Sequence, residues 1–412
     1  MLVVQKFGGS SVSTIGHIER VAAKIKQAGA DGHRVVVVVS AMGDSTDDLV
    51  SLAKAANPDL PSREMDALLA TGEIQTTALL AMVLLRMGVL AKSFTGRDAG
   101  ILTDHHHRRA HILSVDASRL QRAIEEGIVP VVAGFQGVDE AGNVTTLGRG
   151  GSDLTAIALA SALKADRCEI FSDVAGVFTA DPRIVSDAVP LDHLSYDEMV
   201  ELASQGAQVL QTKAVEYARS NQVVIYARST FHEAQGTRIV AKNLDNPSVT
   251  AVAVAKKIVK IGLVGVPDAP GVAAHLFSRL AEKSIDVDLV IQSLSHDRLN
   301  DIAFTVSEED LEKAQHIAQM ALVELHGADL IVDANVSKVS AVGSGMLGRP
   351  GVAARFFQAL ADAEVNIQMI GTSEIKISCI VARNDAERAI NALHQAFALG
   401  RAKPESNPST AN

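Results

Sequence analysis

Through its first 240 residues the chain alternates short apolar runs with stretches of helical spacing, which predicts strands and helices taken in turn. Leu2–Gln5 reads as a strand and Ile15–Ala28 as a helix. Val35–Val39 is an unbroken run of valines, the pattern of a strand covered on both faces. It runs into Ser40-Ala41-Met42-Gly43-Asp44 and a further helix, and a long helical stretch covers Ser62–Met87. Ala117–Glu126 reads as a helix, Ile128–Ala133 as a strand, and Glu140-Ala141-Gly142-Asn143 as a hairpin turn. Ser152–Lys164 is then a helix, Cys168–Ser172 a strand, and Lys213–Ser220 a helix feeding a strand at Val223–Tyr226. Alternation this regular predicts an α/β/α sandwich around a mainly parallel sheet.

The pattern changes near residue 242, where Lys242-Asn243-Leu244-Asp245-Asn246-Pro247-Ser248 reads as a polar linker. Beyond it the chain repeats itself at an offset of 80 residues. Pro270-Gly271-Val272-Ala273-Ala274-His275-Leu276-Phe277 matches Pro350-Gly351-Val352-Ala353-Ala354-Arg355-Phe356-Phe357, and Ile285-Asp286-Val287 matches Val365-Asn366-Ile367. Each copy predicts a ferredoxin-like βαββαβ unit, and the spacing suits a duplicated small domain better than a solenoid. The expected organisation is a first domain at 1–241, a linker and start of the second region at 242–257, copies at 258–330 and 331–400, and a disordered tail at 401–412.

Composition narrows this further. A length of 412 residues favours two or three domains. With 47% hydrophobic residues, 3% aromatics and no Trp, the core has to be packed from Ala, Val, Leu and Ile. The net charge of −10 argues against nucleic acid as a partner, since phosphate neutralisation needs a surplus of Lys and Arg. Cys168 and Cys379 stand in apolar strand-like surroundings and read as buried thiols. The chain passes directly into Leu2-Val3-Val4 with no signal pattern, and no apolar run reaches the roughly 18 residues of a membrane span. The expectation is a soluble, cytoplasmic protein.

Two glycine-rich turns carry the chemistry. Lys6-Phe7-Gly8-Gly9-Ser10-Ser11 leaves a strand and opens a helix, so backbone N–H groups approach an oxyanion with Lys6 alongside. The lysine precedes the glycines, so this is not a Walker A loop, and alone the motif reads equally well as a tight strand–helix turn. In Thr145-Thr146-Leu147-Gly148-Arg149-Gly150-Gly151-Ser152-Asp153 a second such turn adds the Arg149 fork for a carboxylate, Ser152 as a helix cap and anion donor, and Asp153 in the first turn. Two anion cradles, each with one cation, suit a reaction between a polyphosphate and a carboxylate. A third turn, Phe171-Ser172-Asp173-Val174-Ala175-Gly176-Val177-Phe178-Thr179-Ala180-Asp181-Pro182-Arg183, offers Arg183 as a further phosphate-directed charge, or is an ordinary hairpin.

The set KFGGSSV, VVSAMG, Thr71-Gly72-Glu73, TTLGRGGSD and SDVAGVFTADPR resembles the aspartate kinases of the amino acid kinase family, and the duplicated half resembles their paired ACT domains. The resemblance spans nearly the whole chain. It implies an amino acid kinase-like sandwich followed by two ACT domains, with ATP and Mg²⁺ as cofactors and L-aspartate as substrate. Lys6 would stabilise the transferring phosphoryl group, Phe7, Gly8, Gly9 and Ser10 would line the phosphate cradle, and Ser40 would line the phosphate path. Thr46 and Glu73 would bind aspartate, with Glu73 at its ammonium. Arg149 would grip a carboxylate beside Gly150, Gly151 and Ser152, and Asp153 would orient Lys6. Ser172, Asp173, Phe178, Asp181 and Arg183 match the nucleotide stretch. The reaction implied is in-line attack of the β-carboxylate on the γ-phosphate. The attacking carboxylate is already ionised, so no general base is needed. Mg²⁺ would ride on the nucleotide phosphates, with no dedicated protein metal cage.

Each ACT copy places a Pro-Gly turn at a helix start, at Asp268–Ala274 and Arg349–Ala354, where an amino-acid carboxylate can sit. The effector-binding candidates are Asp268, Gly271, Val272, Ala273, Gln292, Val352, Asn366 and Thr372, for lysine, threonine or both. The same turns also read as purely structural. The resemblance further implies a homodimer or an α2β2 assembly through the ACT domains. Departures from the family pattern stand at Lys213, where relatives carry Arg, and at Gln292-Ser293, where many copies have Gln-Asn. His105-His106-His107 form a run whose members point apart and are not expected to share a metal. Two other readings stay open: a kinase for another acidic amino acid, and a catalytically silent amino-acid sensor.

Overall fold

The computed structural model describes residues 1–205, 209–242, 247–294 and 297–400, which divide into two compact units. The first holds residues 1–177, 190–204 and 209–242, and the second holds 178–189, 205 and 247–400. The polar linker at 243–246 and the tail at 401–412 lie outside the described residues.

The first unit is built on a sheet of eight described strands, in the order His193–Ser195, Thr237–Val240, Ile225–Ser229, Arg167–Ser172, Leu2–Phe7, Arg34–Val39, Val129–Ala133, Ala91–Phe94. All neighbours are parallel except Ile225–Ser229 with Thr237–Val240. The valine run is a central strand, as its pattern predicts. Val35, Val37 and Val39 pack against Ile18, Val21 and Ile25 of the helix Ile15–Ala30 and against Leu80, Val83 and Leu84 of the helix Ser62–Arg86. Val36 and Val38 alternate to the opposite face and are equally buried. The Ser62–Arg86 helix is, by length and composition, apolar enough to cross a membrane, which the sequence reading did not expect. It is a core helix of this unit, with Asp66 and Glu73 among its buried residues.

A second sheet, not foreseen beyond its hairpin, joins Ile112–Val115, Ile101–Thr103, Gln136–Val138 and Val144–Thr146. Its strands are three or four residues long, too short to show a period of two. It delivers the chain from Thr146 into the Gly148-Arg149-Gly150 turn.

The second unit carries an antiparallel sheet in the order Val290–Gln292, Leu299–Ser307, Ala251–Pro267, Asp329–Val342, Lys376–Ala382, Ile367–Thr372. The two copies do not close separately. Ala251–Ala255, which the sequence reading gave to the linker region, pairs with Lys338–Val342 and so supplies a strand to the second copy from upstream of the first. The helices Val272–Glu282 and Val352–Asp362 start alike, from Gly271 at φ 98° and Gly351 at φ 97°. Residues 178–189 belong to this unit: Ala180 and Val185 share a core with Val252, Phe356, Leu360 and Leu393.

Candidate active site

Parallel strands end along one edge of the sheet, where the following turns gather polar groups. Lys6 is the penultimate residue of the first strand, and its Nζ lies 2.6 Å from Asp153 Oδ1 in the first turn of the helix Gly151–Ala162. Both side chains are about nine-tenths buried, at 11% and 9% exposure. The contact is an ion pair rather than an aligned hydrogen bond, because Oδ1 makes no hydrogen bond among the described residues. Gly8 and Gly9 follow, with Gly8 N–H donating to Phe171 O at 3.2 Å and Gly9 O accepting from Gly43 N–H at 3.1 Å. Ser10 is exposed, and Ser40 N–H donates to Phe7 O at 3.1 Å.

Glu73 reaches this edge from the middle of the Ser62–Arg86 helix. Its Oε1 accepts from Ala41 N–H at 3.0 Å, and its Oε2 is buried with no hydrogen-bond partner among the described residues. Burial pushes the carboxyl pKa up to about 7, against the opposing pull of the Ala41 N–H. Gly72 makes this approach possible, because a Cβ there would stand 2.8 Å from the Ala41 methyl carbon. Thr46, half-buried, sits in the first turn of the helix Ser45–Ala56.

The second turn differs from its sequence reading in one respect. Gly150, at φ 70°, takes the N-cap position and begins the helix with no side-chain cap, so Ser152 is a first-turn residue rather than a cap, beside Asp153 in the first turn as expected. A Cβ on Gly150 would also collide with Gln211 Cγ at 2.0 Å. Ser152, 7% exposed, is packed on Gly134, while Arg149 is exposed on the turn. Lys213 is exposed in the first turn of the helix Thr212–Asn221.

Of the nucleotide candidates, Ser172 ends its strand and accepts at its carbonyl from Thr230 N–H at 2.8 Å, and Asp173 is exposed. Phe178, Asp181 and Arg183 fall in the second unit. There Asp181 is held below the usual carboxylate range by Arg183, whose Nη2 donates to Oδ2 at 2.7 Å and Nε to Oδ1 at 3.0 Å. The positive group expected to face phosphate is thus engaged within its own turn.

The histidine run separates only in part: the His105 and His106 rings stack with centroids 4.7 Å apart, while His106 and His107 turn to different carboxylates. His107 Nδ1 lies 2.8 Å from Asp66 Oδ2, whereas His106 and His111 Nδ1 lie 3.0 and 2.8 Å from Asp104 Oδ2. His111 is a partner the run itself does not reveal. Asp66 was missed altogether: an acidic residue in an amphipathic stretch reads as a solvated face, yet this one is wholly buried.

In the second unit Asp268 Oδ1 accepts from Asn300 Nδ2 at 2.8 Å beside the Gly271 turn. Asn300 is 4% exposed and its Oδ1 has no partner among the described residues, a feature outside the sequence candidates. Gln292 and Thr372 lie on edge strands, paired with Ile302 and Ile377. Val272 and Val352 begin their helices, with Ala273 next, and Asn366 immediately precedes the strand Ile367–Thr372.

Comparison with known proteins matches this geometry to a family. The model of the amino acid kinase family matches residues 1–227, and an ACT domain model matches 261–322 and 339–397. The aspartate kinase of Stutzerimonas stutzeri (strain A1501) is 47% identical over 401 residues, 97% of each chain. The crystal structure of E. coli aspartokinase III with aspartate and ADP (R-state) aligns with a TM-score of 0.81 at 27% identity, covering 96% of this chain and 99% of that one. The same enzyme with lysine and aspartate (T-state) gives 0.76 at 27% identity, with the same coverage. The chain belongs to the amino acid kinase family, among the aspartate kinases that carry C-terminal ACT domains.

Proposed function

We propose that this chain transfers the γ-phosphoryl group of ATP to the β-carboxylate of L-aspartate, giving 4-phospho-L-aspartate, the first step toward lysine, threonine and methionine. The single observation that carries this reading is the buried Oε2 of Glu73, which has no hydrogen-bond or cationic partner among the described residues. An amino-acid ammonium supplies one, and ionises Glu73 as it binds. Arg149 takes a carboxylate of the same molecule, and Thr46, Gly150, Gly151 and Ser152 complete the seat.

Lys6 neutralises charge on the transferring phosphoryl oxygens, and Asp153 holds its ammonium in place over the 2.6 Å contact. The turn from Phe7 to Ser10, through the amides of Gly9 and Ser10 since Gly8 N–H is engaged by Phe171 O, serves the nucleotide with Ser40, Ser172 and Asp173; Phe178, Asp181 and Arg183 are assigned to it from the resemblance. Mg²⁺ supplies charge neutralisation on the polyphosphate. Asp153 is already committed to Lys6, so the ion is assigned to the nucleotide phosphates. Attack needs no base, because the acceptor carboxylate is ionised at neutral pH; catalysis is positioning and charge neutralisation.

The ACT copies are assigned lysine, threonine or both as feedback effectors, with assembly as a homodimer or α2β2 through these domains, in the cytoplasm. E. coli aspartokinase III has been crystallised with lysine and aspartate, which supports lysine. The test is ADP release and hydroxamate formation with aspartate, glutamate and acetylglutamate, with and without lysine and threonine. Aspartate alone is expected to turn over. Turnover of glutamate or acetylglutamate without aspartate, or no turnover at all, overturns the assignment.

A further inference from the structure

Asp66 lies seven residues before Glu73 on the same helix, two turns away on the same face, and it has no exposed surface. Among the described residues no lysine or arginine side chain pairs with it, so this buried carboxylate has to be satisfied by hydrogen bonds. Asp66 has four donors. Thr146 Oγ1 donates to Oδ1 at 2.6 Å and Thr146 N–H to Oδ2 at 3.1 Å. Arg108 N–H lies 3.1 and 3.0 Å from the two oxygens, and His107 Nδ1 lies 2.8 Å from Oδ2.

The origin of these donors gives the cluster its meaning. Thr146 ends the strand Val144–Thr146, and three residues later the chain is at Arg149. Arg108 also serves that turn from its other side, since a Cβ on Gly148 would stand 3.1 Å from Arg108 O. A parallel tie runs from Gln136 Nε2 to Ala70 O at 3.0 Å, midway between Asp66 and Glu73 on the helix. Apolar packing alone would hold helix and sheet together while letting them slide. Directed hydrogen bonds to both oxygens of one carboxylate fix their register.

We infer that Asp66 is a positioning residue for the acceptor: it fastens the helix that carries Glu73 to the strand that carries Arg149, and so sets the separation of the two groups that seat the amino acid. This rests on the reading that Glu73 and Arg149 hold the acceptor. Asp66 touches neither the acceptor nor the nucleotide. Its loss is felt as a displacement of one anchor against the other, and small misplacements of this kind cost on the order of tenfold to a hundredfold.

The experiment measures KM for aspartate and for ATP, and kcat, in Asp66→Asn, Thr146→Val and Thr146→Ser, with thermal unfolding as a check on folding. Asp66→Asn keeps the shape but turns an N–H₂ toward backbone donors, and KM for aspartate is expected to rise about tenfold or more with KM for ATP within about threefold. Thr146→Val removes one donor and is expected to raise KM for aspartate severalfold, while Thr146→Ser keeps the hydroxyl and restores it. If Asp66→Asn does not fold, the Thr146 pair decides. Unchanged KM for aspartate in Thr146→Val, or equal rises in both KM values, overturns the inference. Glu73→Gln separates the two layers. If it leaves KM for aspartate unchanged, the acceptor reading fails; if it raises KM while Thr146→Val does not, only the role of Asp66 fails.

Discussion

Two buried charges sit at the sheet edge and are treated in opposite ways. At the first turn Lys6 is buried against Asp153, so each charge has its counterpart within 2.6 Å. On the long helix Glu73 is 3% exposed, with one oxygen held by a backbone N–H and the other by nothing among the described residues. The first arrangement is complete without a ligand and keeps a cation fixed for a charge that arrives with the substrate. The second is incomplete, and its raised pKa is the sign of a carboxylate lacking a cation. A paired group is preorganised for chemistry, whereas an unpaired one is a receptor.

Breaking the pair should have the largest effect. Lys6→Met is expected to lower kcat by about a thousandfold, the scale of losing a donor aimed at transition-state charge. It also strands Asp153, costing roughly 3–5 kcal/mol of stability as an upper range for a buried pair. Lys6→Met with Asp153→Leu is expected to recover stability in urea unfolding but no turnover. Recovery of neither, or a Lys6→Met enzyme with near-normal kcat, would contradict the division drawn between the two charges.

Glu73→Gln should act in the reverse sense. Burial pushes the Glu73 carboxyl up to about 7 from the ordinary 4.5. Its folded-state pKa is raised, so the folded state holds more protons between the two values. Glu73 therefore subtracts stability progressively as pH rises from about 4.5 through about 7. At pH 8 Glu73→Gln is expected to be the more stable protein by on the order of 3 kcal/mol, and at pH 4 the difference should vanish. Thermal unfolding across this range checks it, and a variant no more stable at pH 8 would show that Glu73 is not an unpaired buried acid. In the wild type KM for aspartate should fall as pH rises toward 7 and level off above it.

The same contrast recurs, more weakly, between the ACT copies. Their helix starts match in φ, and beside the first turn the buried Asn300 donates from Nδ2 to the exposed carboxylate of Asp268. Gln292 pairs with Ile302 and Thr372 with Ile377, so the position matching Asn300 is Ile375. Asn300→Ala is expected to raise the half-inhibiting effector concentration about tenfold without changing the basal rate, the scale of one buried hydrogen-bonding group. Ile375→Ala should move it much less. Equal effects would erase the distinction between the copies.

Much of the fold was legible because its signals are local. The valine run, the glycine turns and the 80-residue repeat all announce themselves within a few positions. What escaped depends on distant pairings. Asp66 finds its donors 41 to 80 residues away. The strand Ala251–Ala255 completes a copy that begins after the next one in sequence. The segment 178–189 reads as part of the first domain yet packs with the second unit. Lys6, Glu73 and Asp153 were legible as types in motifs, but that one carboxylate is paired and another is not is a property of the packed chain.

The most direct measurement is calorimetric titration of aspartate into the protein at pH 6.5 in buffers of differing ionisation enthalpy. Binding is expected to release protons from Glu73, so the heat depends on buffer in the wild type and ceases to in Glu73→Gln. Tight aspartate binding with a buffer-independent heat in the wild type would contradict the account.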